Sequence, residues 1–194
     1  MKNAILLHGK PSKEEYYDPS QPSASNAHWF PWLQKQLLVH DIEAKTPEVP
    51  YAYDPRWELW VKEVEQFEIG PETTLVGHSC GGGFWVKYLS LNKQLKVGRV
   101  ILVAPSLGKS WGDGGENFFN DFEIESTLAR RTKGLTIIGS NNDGAGIIEA
   151  VSELRSKIHD INYIELPGQG HFTLQSMGKN EFPELLKECL AGDT

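Results

Sequence analysis

Cysteine is almost missing from this 194-residue chain: Cys80 and Cys189 are its only two, and they lie far apart in sequence. A disulfide framework and a four-cysteine zinc cluster are thereby excluded, and a reducing compartment fits. Long hydrophobic runs are missing as well. The first ten residues hold an apolar run of only four, Ala4 to Leu7. That is too short for a signal-peptide core and far short of the roughly 20 residues of a spanning helix. A cytoplasmic protein with no membrane partner is expected. Positive charge is in deficit, with 19 Lys and Arg against 26 Asp and Glu and a net charge of −7. Such a surface repels polyphosphate, so nucleic acid is not an expected partner. The densest basic spot, Arg130, Arg131 and Lys133, falls where a helix should end and reads as a cap on a helix dipole.

What is present is the composition of a globular chain, 39% hydrophobic and 23% charged, with no polar tract or linker to mark a boundary. One domain spanning residues 1–194 is expected. Short apolar runs end in Gly, Pro, Ser or Asn: Ala4 to Leu7, Thr74 to Val76, Val100 to Val103, Leu135 to Ile138 and Tyr163 to Leu166, with a weaker one at Ile42 to Ala44. They read as parallel strands buried on both faces. Helical spacing fills the gaps at Trp29 to Leu38, Trp57 to Phe67, Gly82 to Leu91, Ile147 to Ile158 and Glu181 to Leu190. Asp54 before Pro55 reads as a helix start. This alternation predicts an α/β fold, a three-layer α/β/α sandwich around a parallel sheet.

Two stretches break the rhythm. Lys10 to Asn26 is rich in Pro, Ser and Tyr, and Ser106 to Asn120 carries four glycines with Trp111, Phe118 and Phe119. Each follows the carboxyl end of a strand, where open α/β sheets hold ligands. Either they are surface loops or they are lids or pocket walls, and the large rings favour walls.

The strongest motif is Gly77-His78-Ser79-Cys80-Gly81, an apolar strand running through GxSxG into a helical pattern. A nucleophile elbow sets its serine on a strained strand-to-helix turn, and glycines on either side let neighbouring backbone pack closely. Serine needs a base, and in this chain order the acid comes next and the histidine last. His171 lies after the last strand in Gly170-His171-Phe172, and Asp143 is the only acid in the turn after Leu135 to Ile138. Asp143 could instead be a turn residue or N-cap, and Asp113 and Asp121 compete from the stretch after an earlier strand. His28, His40 and His159 read as solvated. The amides of Cys80 and Lys10 are the expected oxyanion donors, the second presented by His8-Gly9 at the end of the first strand. The Cys80 thiol itself reads as packed into the fold rather than reactive.

These residues resemble a known family, the small α/β-hydrolases related to retinoblastoma-binding protein 9 and the bacterial YdeN-type proteins. The likeness covers nearly the whole chain. It rests on His8-Gly9, Trp29-Phe-Pro-Trp32-Leu33, Gly77-His-Ser-Cys-Gly81, the Ser140-to-Asp143 turn and Gly170-His171-Phe172. The resemblance implies a compact α/β-hydrolase fold of about six parallel strands without a large cap domain, and serine hydrolase chemistry with no metal and no organic cofactor. Two departures stand out: Gly144-Ala-Gly146 where relatives often carry Pro, and the long insertion from Lys10 to Asn26.

The expected reaction is cleavage of a small ester, or an amide in an amidase or aminopeptidase variant, through a Ser79-His171-Asp143 triad and an acyl-enzyme. Substrate-binding candidates are His8, Gly9, His78, Trp29, Trp111 and Phe172, with Phe118 and Phe119 as further wall rings; the alternative for these aromatics is the core. A non-catalytic ligand- or protein-binding role on the same scaffold, and a lyase without an acyl-enzyme, are the competing readings.

Overall fold

The structure is a computed structural model that describes residues 2–109 and 117–192. Among the described residues six strands form one sheet: β1 (Asn3–Leu7), β2 (Glu43–Lys45), β3 (Thr73–His78), β4 (Arg99–Val103), β5 (Gly134–Gly139) and β6 (Asn162–Glu165). All pair in parallel, in the order β2-β1-β3-β4-β5-β6. The registers Ala4↔Thr74, Val76↔Ile101 and Leu102↔Ile137 bring the apolar runs side by side. The four central strands are almost wholly buried, whereas the edge strands β2 and β6 are short and partly polar, as unpaired edges must be.

Among the described residues the helices are α1 (Lys13–Tyr17), α2 (Phe30–Val39), α3 (Trp57–Val64), α4 (Cys80–Leu91), α5 (Ala145–Lys157), α6 (Leu174–Met177) and α7 (Pro183–Leu190). The step from β1 to β2 runs one way along the sheet, and every later step runs the other way. Right-handed crossovers therefore place α2 on one face and α3, α4 and α5 on the opposite one. Ring contacts follow that division. Trp57 and Trp60 of α3 meet Phe84 of α4 at 4.9 and 5.8 Å between centroids, and Trp29 before α2 meets Phe182 before α7 at 5.9 Å. The reversal of direction leaves a crevice at the carboxyl ends of β1 and β3, the place where such sheets bind ligands.

Three local readings change. Asp54 does not cap α3, which begins at Trp57 with Arg56 before it; Asp54 instead accepts from the Arg56 guanidinium at 3.1 Å. The Lys10-to-Asn26 stretch is not irregular throughout, because Ser12 and Glu15 close a reciprocal capping box on α1. Residues 24–26 add a 3₁₀ turn. Arg130 and Arg131 close a 3₁₀ turn, residues 128–131, rather than an α-helix, and Arg131 serves a different helix end. Its guanidinium donates to the carbonyls of Leu89, Asn92 and Leu95 at the end of α4 while pairing with Glu125.

The Arg131 side chain is 15% exposed, so these carbonyls have little water to turn to. Arg131→Ala should lower unfolding free energy by about 3 kcal/mol, because it strands buried acceptors and the Glu125 carboxylate. Arg130 pairs with Asp160 in the open, and Arg130→Ala should stay within about 0.5 kcal/mol. Urea unfolding of the two variants measures the contrast.

Candidate active site

The polypeptide leaves β3 at His78 and enters α4 at Cys80, with Ser79 alone forming the corner at φ 52°, ψ −116°. A side chain is rarely tolerated there, so the corner has to be held from outside. The Ser79 amide donates to Val103 O at 2.9 Å, and Ser79 O accepts from Gly82, Gly83 and Ser106 at 3.0, 3.2 and 2.9 Å. Glycine is needed on both sides for space. A Cβ on Gly77 would run into the backbone of Gly81 and Gly82, and one on Gly81 would strike the carbonyls of Leu7 and His8 at the end of β1. Ser79 is 9% exposed and lines a cavity of about 850 Å³ together with His171. Its hydroxyl makes no hydrogen bond among the described residues.

Asp143 follows β5 and His171 follows β6, adjacent strands whose loops meet beyond the sheet. His171 Nδ1 lies 3.0 and 2.9 Å from the two Asp143 carboxylate oxygens. A carboxylate can only accept, so the imidazole proton sits on Nδ1 and Nε2 keeps its lone pair. The Asp143 side chain is 4% exposed and His171 32%, which leaves the acid shielded and the imidazole open to the cavity. The Gly144 amide holds Asp143 Oδ1 at 2.6 Å. Three neighbours then tie the two loops together: Ser140 Oγ, Asn141 Oδ1 and Asn142 Oδ1 accept from the amides of Gln169, Gly168 and Gly170 at 3.0, 3.1 and 2.8 Å.

Gly9 and Lys10 line the cavity beside Ser79, and a Cβ on Gly9 would stand 3.0 Å from that of Ser79. Cys80 begins α4, so its N–H belongs to the first-turn amides that have no acceptor within the helix. Its thiol is fully buried and burial pushes its pKa well up, which removes it as a nucleophile.

The model of the serine hydrolase family matches residues 19–189. This chain belongs to the serine hydrolase family. It is 34% identical to YdeN of Bacillus subtilis (strain 168) over 183 residues, which covers 89% of this chain and 92% of that one. The crystal structure of the B. subtilis ydeN product superposes with a TM-score of 0.76 at 22% identity, over 96% of both chains. Est1E from Butyrivibrio proteoclasticus shares the fold at a TM-score of 0.58 and 14% identity, over 95% of this chain and 88% of its own. The architecture of this serine hydrolase is thus the compact α/β-hydrolase fold, with one six-stranded parallel sheet.

Several pocket expectations need correcting. Trp29 and Phe172 are fully buried and do not line the cavity of this serine hydrolase. Phe172 stacks on Phe182 at 5.4 Å, and Trp29 stacks on Phe30 at 4.2 Å. Phe118 is core as well, against Trp57 and Trp60. His8 is 1% exposed and structural: Nδ1–H donates to Gly9 O at 2.7 Å and Nε2 accepts from the Val49 amide at 3.0 Å. Trp111 and Asp113 lie outside the described residues. His28, read as solvated, is half-buried on the cavity wall, and burial lowers its pKa. The tyrosine rings on the cavity wall are Tyr16 and Tyr17, both from the Lys10-to-Asn26 insertion, with the buried Phe30 behind the lining. His78 reaches the cavity edge but is 3% exposed, and its ring packs 5.0 Å from that of His171. Among the described residues no helix is long and apolar enough to cross a membrane, and no group of three or more His, Cys, Asp or Glu could hold a metal ion.

Proposed function

We propose that this serine hydrolase cleaves small esters, and amides with a good leaving group, with Ser79 as nucleophile, His171 as base and Asp143 as the acid that orients it. The observation carrying this reading is that one cavity is lined by a strained Ser79 and by an imidazole whose Nδ1 is held by a shielded carboxylate. Ser79 Oγ bonds to the acyl carbon as its proton passes to His171 Nε2, and the carbonyl oxygen becomes an oxyanion held by the amides of Cys80 and Lys10. As the tetrahedral adduct collapses, the bond to the alcohol or amine breaks and the leaving group takes the proton from His171. Water then attacks the acyl-serine by the same route, releasing the carboxylic acid. Among the described residues no side chain or backbone group bonds the Ser79 hydroxyl, and catalytic hydrogen bonds often tighten only in the complex.

The cavity volume and the rings of Tyr16 and Tyr17 suit short acyl or aryl groups. A fluorophosphonate should phosphonylate the wild-type protein, and peptide mass spectrometry should place the adduct on Ser79. p-Nitrophenyl esters of rising chain length should show turnover peaking at short acyl chains. A folded wild-type protein that takes up no phosphonate would sink the hydrolytic reading and favour a ligand-holding role.

A further inference from the structure

We infer that His78, Trp29 and His28 form a three-ring clamp on the loop that carries His171, and that His78 is a positioning residue for this base. The inference rests on the reading of His171 given above. Residues 170–173 precede α6 and have no regular structure, and two of them adopt left-handed backbone, Gly170 at φ 54° and Phe172 at φ 55°. A phenylalanine keeps that conformation only where its surroundings impose it.

Three ring nitrogens, two from the neighbours His28 and Trp29 and one from His78, all far from the loop in sequence, supply the constraint. His78 Nε2 lies 2.8 Å from the carbonyl of His171 itself. Trp29 Nε1 donates to the carbonyl of Phe172 at 3.1 Å. The Leu174 amide donates to His28 Nδ1 at 3.2 Å. The partners fix the protons. A carbonyl accepts only, so His78 carries its proton on Nε2; an amide donates only, so His28 leaves Nδ1 bare. His78 and Trp29 are 3% and 0% exposed, so no water replaces either donor when it is lost.

The arrangement does more than stabilise a turn. His78 precedes Ser79 in the chain, so its bond to His171 O ties the backbone of the base to the residue next to the nucleophile. His78 also offers its ring to the His171 imidazole at 5.0 Å and 42°. Because Ser79 and His171 share no hydrogen bond in the free enzyme, their separation is set by these ties together with Asp143.

The test uses the full chain with p-nitrophenyl acetate, normalises rate to active sites titrated by a fluorophosphonate, and compares His78→Leu, His78→Gln, Trp29→Phe and His171→Ala. Catalytic groups displaced by about 1 Å lose about 100-fold, so His78→Leu should lower kcat per titrated site by about 100-fold with KM within about threefold. His78→Gln, which returns an N–H near the same place, should recover to within about tenfold of wild type. A purely structural role would reduce the number of titratable sites and leave kcat per site unchanged. kcat per site within threefold of wild type in His78→Leu overturns the inference, as does His78→Gln performing no better than His78→Leu. Should His78→Leu not fold, Trp29→Phe is read in its place, and an unchanged kcat per site there overturns the clamp. Full activity in His171→Ala would remove the base reading itself, a result distinct from failure of the clamp alone.

Discussion

Asparagine in place of Asp143 should lower kcat for p-nitrophenyl acetate by about 10⁴-fold without unfolding the protein, and Ser79→Ala should set a floor about 10⁶-fold below wild type. The expectation follows from which atoms can carry protons. Both carboxylate oxygens of Asp143 face His171 Nδ1, and Oδ1 also accepts from the Gly144 amide. An asparagine carbonyl kept on Gly144 turns its NH₂ toward Nδ1. The imidazole proton must then move to Nε2, which leaves that nitrogen without a lone pair to take the serine proton. The acid's side chain is 4% exposed, so water does not restore the tautomer. The loops should stay together, because Ser140, Asn141 and Asn142 hold residues 168–170 without using Asp143. Asp121 lies far along the chain on the segment that Lys87 holds through Phe118 O and Asn120 O, and Asp121→Asn should leave kcat within about twofold. Activity of Asp143→Asn above a tenth of wild type would remove Asp143 from the triad.

The parts of this molecule that could be read from sequence are those where one residue type answers one physical demand. Buried parallel strands have to be apolar throughout, so Leu135 to Ile138 and Val100 to Val103 announced themselves, while the polar edge strand Glu43–Lys45 gave only a weak signal. The elbow was equally legible, since only glycine at 77 and 81 permits the approach of α4 to β3 and β1. The start of α3 misled because Asp-Pro fits a turn as well as a cap, and here Asp54 is drawn to Arg56. The capping box on α1 had a signal that could have found it, Ser12 followed three residues later by Glu15.

Aromatic residues were legible as large and apolar but not as to side, because a ring fits a pocket wall and a core equally well. Trp29 and Phe172 went to the core because the left-handed turn at Phe172 directs its ring onto Phe182, and the indole N–H of Trp29 finds its partner inside at Phe172 O. His28 went the other way: its position before a helix suggested solvent, yet the Leu174 amide draws the ring to the cavity wall. The roles of Ser140, Asn141 and Asn142 are not legible in the sequence. Their signal, a run of short polar side chains just before Asp143, is shared with any exposed turn.

Acid should destabilise this protein early, before its carboxylates titrate. His8 and His78 are buried neutral imidazoles. Burial lowers the pKa of both, Glu48 partly opposes it at His8, and at His78 the neighbouring His171, His28 and His8 reinforce it. In the unfolded chain each titrates near 6.5. Above that value neither state takes up the proton, and the stability the two rings contribute is fully present. Below it the unfolded chain binds protons that the folded one refuses, so stability falls with falling pH until the depressed folded values are passed. The slope is at most about 1.4 kcal/mol per pH unit for each ring, and His78, the more strongly depressed of the two, comes nearer that limit than His8, against a typical total of about 5–15 kcal/mol. Glu125 and Glu153 also have lowered pKa values, and the stability they contribute is lost only as pH falls below the ordinary carboxylate range near 4.5. The steep region between pH 6.5 and 5.5 therefore belongs to the imidazoles. Urea midpoints measured across that interval should drop steadily in the wild type; His28, half-buried, adds a smaller part, and His78→Gln should remove the largest single share of the slope. A midpoint that stays level from pH 7 to pH 5.5 would mean that these two rings are not held neutral inside the fold, and with them the proton placement in the Val49–His8–Gly9 and His78–His171 contacts would have to be redrawn.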